Sequence, residues 1–268
     1  MLHLGRLTIL ASFCAFTGMV LTPRVNAIAE AEIDQSAKQA FVSQIPLDKL
    51  PEQVRNKLTY VIGRAQLFEK GKSEAFPCNP EVYRWLLESP DASLFAWKKL
   101  GATKAGVTRL ENGSFLGTDG HGGEMRWSLI ATGPTTRIWY AEGSGRIGPL
   151  LPTMTIRAIV ALHFEDVKGV DGRKGVKHRL ELLAHYDSSA IVNKLTNMSA
   201  ESTGKKVIQQ LEVFFSGMAW YVSEHSAWSR LTMSTWATTP ESKTRLQQLI
   251  GTLDQADAAI ENVIPASK

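Results

Sequence analysis

The chain has 268 residues, of which 44% are hydrophobic and 21% are charged, and it contains seven Trp and ten Phe. This composition is typical of a folded globular protein and excludes a disordered chain. The formal net charge of +4 is close to neutral for this length. It therefore gives no argument for binding to nucleic acid or to a membrane surface.

The first 27 residues have the pattern of a secretory signal peptide. Arg6 precedes an apolar run from Leu7 to Leu21, and the segment ends at Ala27 in the small residues that a signal peptidase accepts. The run is shorter than the roughly 20 residues that a helix needs to span a bilayer. We therefore expect cleavage after Ala27, export to the periplasm or the exterior, and no stable membrane span in the mature chain.

Cleavage at this position would change the charge and the cysteine content. It removes Arg6 and Arg24 and no acidic residue, so the formal net charge falls from +4 to +2. It also removes Cys14, which leaves Cys78 as the single thiol and excludes an internal disulfide. The stability of the mature chain must then come from its hydrophobic core.

The first part of the mature chain is predicted to be helical after a short lead-in. Residues 28–47 are polar and weakly patterned, so we expect them to be flexible. Apolar residues at steps of three and four predict a helix over 51–70. An Asn-Pro pair predicts the start of a second helix at 79–88, and a short helix is expected at 93–100.

From Gly106 the apolar period changes from about four to two. The pair Asn112 and Gly113 predicts a tight hairpin, because both residues accept the positive φ angles of a primed turn. Further strands are predicted at 124–132, 135–142, 154–165 and 176–186. Consecutive strands without helices between them indicate an antiparallel sheet with one buried face and one solvated face.

Two helices are predicted after the sheet. The segment 202–231 keeps an aromatic, apolar side over its whole length, which predicts one long helix that covers the buried face of the sheet. A final amphipathic helix in 237–268 is expected to pack on the helix at 51–70. The fold class is therefore α+β, with an antiparallel sheet gripping a long C-terminal helix and with extra N- and C-terminal helices. The main domain is placed at 48–236.

This order of elements resembles the START-like, or SRPBCC, helix-grip superfamily. The likeness covers roughly residues 78–231 and is carried by NPEVYRWLLESPDASLFAWKKLG, by the strands that follow and by SGMAWYVSEH. In that superfamily a long C-terminal helix lies across a curved sheet, with a cavity between the two. Members usually open with a strand at the sheet edge, for which Leu67–Phe76 is the remaining candidate here.

The resemblance implies a binding site for an apolar or lipid-like small molecule between sheet and helix. His178 would be its polar contact, because the alternation of its strand puts this side chain on the apolar face. The implied walls are Met154, Ile156, Ala158, Val160, Leu162, Leu180, Leu182, Phe214, Met218 and Tyr221. The same residues could equally form a filled core, and the sequence alone does not separate these alternatives.

The glycine-rich loop Gly117–Gly123 contains Asp119 and His121. These side chains could form an acid-base pair, so a hydrolase or isomerase is the alternative function. The loop lacks the Lys-Ser/Thr pattern that binds phosphate, and a tight connection between strands explains its glycines as well. A third hypothesis is an envelope interaction module whose terminal helices bind a partner protein.

No other pattern in the sequence points to catalysis. Cys78 has no His near it in sequence, no nucleophile elbow occurs, and the His-acid pairs lack a third ligand for a metal. The sequence therefore predicts no metal site and no cofactor. The leading hypothesis is an exported, non-enzymatic protein that binds an apolar small molecule and has no nucleic-acid partner.

Overall fold

The computed structural model describes residues 34–119, 123–146, 153–170, 172–187 and 200–261. The predicted signal peptide lies outside these residues. The described helices are α1 Gln35–Val42, α2 Glu52–Arg64, α3 Pro80–Glu88, α4 Pro90–Lys99, α5 Ala200–Glu224, α6 Ser226–Trp236 and α7 Pro240–Glu261, with a short 3-10 helix at Leu47–Lys49. The described strands are β1 Leu67–Lys70, β2 Glu74–Pro77, β3 Gly106–Arg109, β4 Phe115–Thr118, β5 Glu124–Thr132, β6 Thr136–Arg146, β7 Thr153–Lys168 and β8 Lys174–Asp187.

The described strands form one antiparallel sheet in the order β1-β8-β7-β6-β5-β4-β3. The strand β2 also pairs with β8, so the two short strands β1 and β2 have the same partner strand and together form one edge of the sheet. The strands β6, β7 and β8 are the longest, with 11, 16 and 14 residues. From β3 to β8 the order in the sheet follows the order in the chain, which is the topology that the predicted run of strands implies.

Local sequence signals determine the ends of several elements as predicted. Gly113 has a φ of 77°, and the backbone N–H of Ser114 donates to Asn112 Oδ1 at 3.1 Å in the turn between β3 and β4. At the start of α3, Asn79 Oδ1 accepts from the backbone N–H of Glu81 at 2.9 Å, and Pro80 occupies the first turn. The hairpin and this helix are therefore confirmed. The predicted centre of the turn is wrong, because the Gly113 N–H donates to the Leu110 carbonyl at 2.9 Å and thus closes the turn one residue earlier.

The inner face of the sheet is the face that α5 covers. The helix packs on β1, β2 and β8, and α3, α4, α6 and α7 close the same side. The largest part of the hydrophobic core lies between these helices and the sheet. Its most buried members include Tyr83, Leu86, Leu162, Leu180, Met218, Met233 and Leu249. This arrangement confirms the predicted α+β fold class with a long C-terminal helix on an antiparallel sheet.

The outer face of the sheet is also covered, where the sequence predicted a solvated face. A second hydrophobic cluster joins Leu58 and Val61 of α2 to Ile159 of β7 and Leu183 of β8. Each of these four side chains is 0% exposed. Alternation in β7 and β8 puts apolar residues on both faces at their centres, so both faces need a cover.

Residues 34–47, expected to be part of a flexible lead-in, belong to this outer layer. They contain α1, and Phe41 and Ile45 are 1% and 6% exposed. The Phe41 ring lies 5.6 Å from the Phe68 ring of β1, measured between centroids. The apolar side chains in this polar stretch give too weak a periodicity to predict a helix, but Phe41 and Ile45 are enough to pack it on a sheet.

The helix predicted over 51–70 is shorter than expected, because its last part is the edge strand β1. The helix α2 ends at Arg64, and Ala65 already has an extended ψ of 128°. The side chain of Gln66 then accepts from the backbone N–H of Tyr186 and donates to its carbonyl, both at 3.1 Å. Pairing with β8, which is distant in sequence, overrides the local helical pattern. The structure thus supplies the opening edge strand that helix-grip proteins usually have.

The long helix predicted over 202–231 is two helices. The backbone of His225 has φ −123° and ψ 55°, which ends α5 and begins α6. Beyond this break, Ser229, Thr232 and Met233 are buried toward the core. Both helices have the same period, so the sequence pattern cannot reveal a change of direction between them.

The last helix lies on the inner side of the sheet and not on α2. Leu249 and Leu253 of α7 belong to the inner core, whereas the buried residues of α2 belong to the outer one. The indole Nε1 of Trp85 in α3 donates to the carbonyl of Arg245 at 2.9 Å. The expected packing of this helix on the 51–70 segment is therefore replaced by packing on α3 and α6.

The outer layer, formed by α1 and α2 on the sheet, should stabilise the fold as much as a hydrophobic core of the same burial does. We expect Leu58→Ala to lower the free energy of unfolding by about 2–5 kcal/mol, because it removes buried methyl groups and leaves a cavity. Urea unfolding at neutral pH measures this. The control is Leu231→Ala at a side chain that is 71% exposed, which should change stability by less than about 0.5 kcal/mol. Equal small effects would mean that α2 does not stabilise the sheet.

Candidate ligand site

Aromatic side chains fill much of the space between the sheet and α5. The rings of Trp139 and Phe215 stack at 6.1 Å with an interplanar angle of 13°, and Phe214 meets Phe215 edge-on at 5.3 Å. The indole Nε1 of Trp97 donates to the carbonyl of Phe214 at 3.4 Å. These contacts fix the middle of α5 against the sheet and against α4.

A cavity of about 30 Å³ remains at one end of this interface, between α4, the β3–β4 hairpin and α5. Its lining is almost wholly apolar. The lining residues are Pro90, Leu94, Ala105, Gly106, Val107, Gly117, Thr118, Trp127, Phe214 and Phe215. The volume is that of a few water molecules at most, and a complete drug-sized ligand needs a pocket of about 300 Å³ or more.

Gly117 lets the hairpin lie close to the aromatic wall of this cavity. A Cβ atom at Gly117 would lie 2.7 Å from the Trp127 ring, so a larger residue would displace the indole. A glycine inside a strand pattern often marks such a close approach. Gly117 could therefore have indicated the hairpin side of the cavity from the sequence. Nothing in the sequence marks Leu94 or Val107 as lining residues.

The wall residues that the resemblance implied lie mainly in the inner core. Ala158, Leu162, Leu180, Leu182 and Met218 are buried there, and Val160 is partly buried against them. Phe214 is the member of the implied set that also lines the cavity. Ile156 is partly buried, and the Met154 side chain lies outside the described residues. Tyr221 is partly exposed, with its ring 4.9 Å from that of Trp228.

His178 lies on the inner face, as the alternation of its strand predicted. It is 1% exposed, and its Nδ1 shares a hydrogen bond of 2.8 Å with the hydroxyl of Tyr83. Burial lowers the pKa of His178 to about 4 and raises that of Tyr83, so both groups are neutral near pH 7. Its Nε2 has no hydrogen-bond partner among the described residues.

Glu212 of α5 is a second buried polar group on the inner side. It is 5% exposed, and burial raises its pKa to about 7, with the nearby charge of Glu74 as a further cause. The Oε1 atom has no hydrogen-bond partner within the described part of the chain. The sequence does not mark Glu212 as buried, because one acid in an amphipathic helix normally faces solvent.

The other histidines of the strands lie on the outer face. The Nε2 atom of His163 lies 3.2 Å from Glu181 Oε2, and that of His185 lies 3.0 Å from Asp187 Oδ1. His185 Nδ1 also lies 2.7 Å from Gln66 Oε1. These residues are separated from His178 by the sheet, which agrees with the opposite faces expected for His178 and His185.

Asp119 closes the turn that follows β4. Its Oδ1 accepts from the backbone N–H of Gly123 at 2.9 Å, and its own N–H donates to the Gly123 carbonyl at 3.1 Å. These bonds are those of a tight connection between strands. His121, the proposed partner of Asp119, lies outside the described residues.

Cys78 is a buried thiol at the start of α3. Burial raises its pKa to about 12, and the negative charge of Asp166 acts in the same direction. The thiolate is therefore strongly disfavoured, which argues against a nucleophilic role.

The described part of the chain contains neither a metal cluster nor a membrane span. Among the residues in those ranges, no group of three or more His, Cys, Asp or Glu could hold a metal ion. No helix within the same ranges has the length and apolar character needed to cross a membrane.

The sheet order and the helix across it define a helix-grip protein in architecture. No protein-family model and no curated protein matches the chain. A conserved protein from Geobacillus kaustophilus is similar in structure, with a TM-score of 0.39, 13% identity, and coverage of 59% of this chain and 97% of that chain.

Two other solved structures give similar values. A hypothetical protein from Helicobacter pylori has a TM-score of 0.34 and 12% identity, covering 58% of this chain and 87% of its own. Ara h 8.0201 has a TM-score of 0.34 and 15% identity, covering 58% of this chain and 98% of its own. All these TM-scores lie below 0.5, so the fold assignment rests on the chain's own topology.

The buried His178 should make the fold sensitive to acid. An unfolded His has a pKa of about 6.5, whereas the folded one has a pKa of about 4. This contribution to stability is full above about pH 6.5 and is lost as pH falls to about 4, by about 3 kcal/mol. The opposite contribution of Glu212 is present in both chains, so we expect the stability of the double variant Tyr83→Phe/His178→Phe to rise relative to the wild type between pH 7 and pH 4.5, measured by urea unfolding at both pH values.

Both partners are replaced because Tyr83→Phe or His178→Phe alone would leave a buried polar group unpaired. The control is His225→Asn at an exposed histidine, which should show the same change of stability with pH as the wild type. If the stability of the wild type and of the double variant changes by the same amount between the two pH values, His178 makes no such contribution.

Proposed function

We propose that the protein is an exported binding protein that holds the apolar part of a small molecule between the β3–β4 hairpin, α4 and α5. The observation that carries this proposal is the cavity at that place, whose walls include Leu94, Trp127 and Phe215. An apolar space beside aromatic side chains binds apolar groups better than it binds water.

The position of the cavity supports a site that enlarges when a ligand binds. The strands β3 and β4 have four residues each and form the end of the sheet opposite β1. An outward movement of this hairpin would widen the cavity without disturbing the pairing of β6, β7 and β8. Short edge elements open at a lower free-energy cost than central strands, so the hairpin is the part suited to move.

Filling the cavity should abolish binding. We expect Leu94→Trp to weaken binding of the fluorescent apolar probe phenylnaphthylamine by at least about tenfold, because the indole would occupy the space. Fluorescence titration measures this, and thermal unfolding checks that the variant is folded. Native mass spectrometry of the wild type purified from its host should show a bound apolar molecule.

The matched control is Leu231→Trp, which adds the same side chain at a position that is 71% exposed. It should bind the probe as the wild type does. The proposal fails if a folded Leu94→Trp variant binds the probe normally, or if the wild type carries no apolar molecule and does not bind the probe.

Export forms a separate part of the proposal. The support is the sequence of residues 1–27, in which Arg6 precedes an apolar run and small residues lead up to Ala27. Because the run from Leu7 to Leu21 is shorter than a bilayer-spanning helix, it suits a leader that is removed better than a retained anchor. The exported chain would then begin at Ile28.

Cleavage gives this part its own test. We expect the protein isolated from its host to begin at Ile28, because Ala27 completes the small-residue pattern that the peptidase accepts. Intact-mass measurement and N-terminal sequencing check this. Ala27→Arg should block processing, since a large charged residue does not fit the peptidase site, while Ala37→Arg within α1 should leave it unchanged. A mature protein that retains residues 1–27 would contradict export by a cleaved leader.

A further inference from the structure

Glu212 lies in the middle of α5 and faces the turn between β1 and β2. A Cβ atom built on Gly71 in this turn would overlap Glu212 Oε1, and it would lie 2.7 Å from Ile208 Cγ2. The carboxyl group therefore touches the turn backbone, at a place where only glycine leaves room. One end of the inner core is closed by this contact.

The described neighbours do not neutralise a charge on this carboxyl group. The Gly71 N–H donates to the Leu180 carbonyl at 2.8 Å, so it is already used. Lys70 points to the outer face, where its Nζ lies 3.6 Å from Glu181. The two influences that shift the pKa of Glu212, burial and then the charge of Glu74, both raise it.

Other titratable side chains stand on the elements around Glu212. They are Glu69 on β1, Lys72 in the turn, Glu74 on β2, His178 on β8, Tyr83 on α3 and Lys205 on α5 itself. Lys72 and Lys205 are exposed to solvent, and His178 is neutral near pH 7 because burial lowers its pKa. Ionised Glu212 would therefore add a negative charge near Glu74, whose own charge raises the pKa of Glu212.

The β1–β2 edge of the sheet is short enough to separate from α5 without disrupting the central strands. Both strands have four residues, and both depend on β8 for their pairing. On α5, Gly204 allows a close approach to β1, since a Cβ there would lie 2.8 Å from Leu67 Cδ1. Short edge strands open at a lower free-energy cost than the central strands.

We propose that Glu212 is a proton-controlled latch between α5 and the β1–β2 edge. The protonated carboxyl group holds the edge closed against the helix. Loss of the proton places an unpaired charge in the core, and the edge then separates from α5 so that water reaches the carboxylate. The inner face of the sheet becomes accessible on the side opposite the cavity. This inference does not depend on the proposed ligand.

The direction of the pH effect follows from the raised pKa. A carboxyl group in the open edge has an ordinary pKa near 4.5, and in the closed edge burial raises the pKa to about 7. The closed state is therefore fully favoured below about pH 4.5, and this preference is lost as pH rises through about 7. The latch is closed in acid and released in mild alkali.

Hydrogen exchange of residues 67–77 tests the latch in the full chain. After correction for the intrinsic pH dependence of exchange, we expect protection of these amides to fall about tenfold between pH 6 and pH 8.5. Glu212→Gln should abolish this fall, because the amide has similar shape and does not ionise. Glu224→Gln, the same change at an exposed position of α5, should retain it.

Two further measurements keep the inference open to refutation. Glu74→Gln should move the loss of protection to lower pH, since it removes a charge that raises the pKa of Glu212. If Glu212→Gln does not fold, the carboxyl carbon of Glu212 in the wild type should titrate near pH 7 by NMR. Protection that does not depend on pH, a full effect in Glu212→Gln, or titration near pH 4.5 would overturn the proposal.

Discussion

The pairing of β7 with β8 is the interaction on which the rest of the structure depends. Its register is unbroken from Thr155 opposite Asp187 to Lys168 opposite Lys174. Leu162 pairs with Leu180 on the inner face, and Ile159 pairs with Leu183 on the outer face. Two long strands that are apolar on both sides at their centres need a cover on each side. The helix α5 covers the inner face and α2 covers the outer face. Both helical layers therefore follow from the β7–β8 pair.

Much of this architecture could be predicted from local signals in the sequence. Period-two alternation located β5 to β8, and the Asn112 and Gly113 pair located the first hairpin. The features that the sequence did not reveal depend on distant contacts. The side chain of Gln66 hydrogen-bonds to the backbone of Tyr186, 120 residues away, where the chain enters an edge strand in a segment with a helical pattern.

The sequence predicted which face of the sheet the candidate site lies on, but it did not predict where on that face the cavity lies. Alternation placed His178 on the inner side correctly, because a strand has only two faces. The cavity lies instead where α4 and the β3–β4 hairpin meet α5, and its place depends on side-chain volumes. Phe214, Phe215 and Trp127 fill most of the space there but not all of it. A periodicity argument identifies which residues point inward, whereas the space left between them depends on rotamers and packing.

The two buried polar groups of the inner core respond to pH in opposite directions. Burial lowers the pKa of His178 to about 4 and raises that of Glu212 to about 7, and in both cases the neutral form is favoured. Between these values both groups are uncharged in the folded chain. Between about pH 4.5 and pH 6.5 their contributions to stability change with opposite sign and largely cancel. Below about pH 4 or above about pH 7 one group acquires a charge that the surrounding apolar side chains do not compensate, so the inner core is best suited to mildly acidic or neutral conditions.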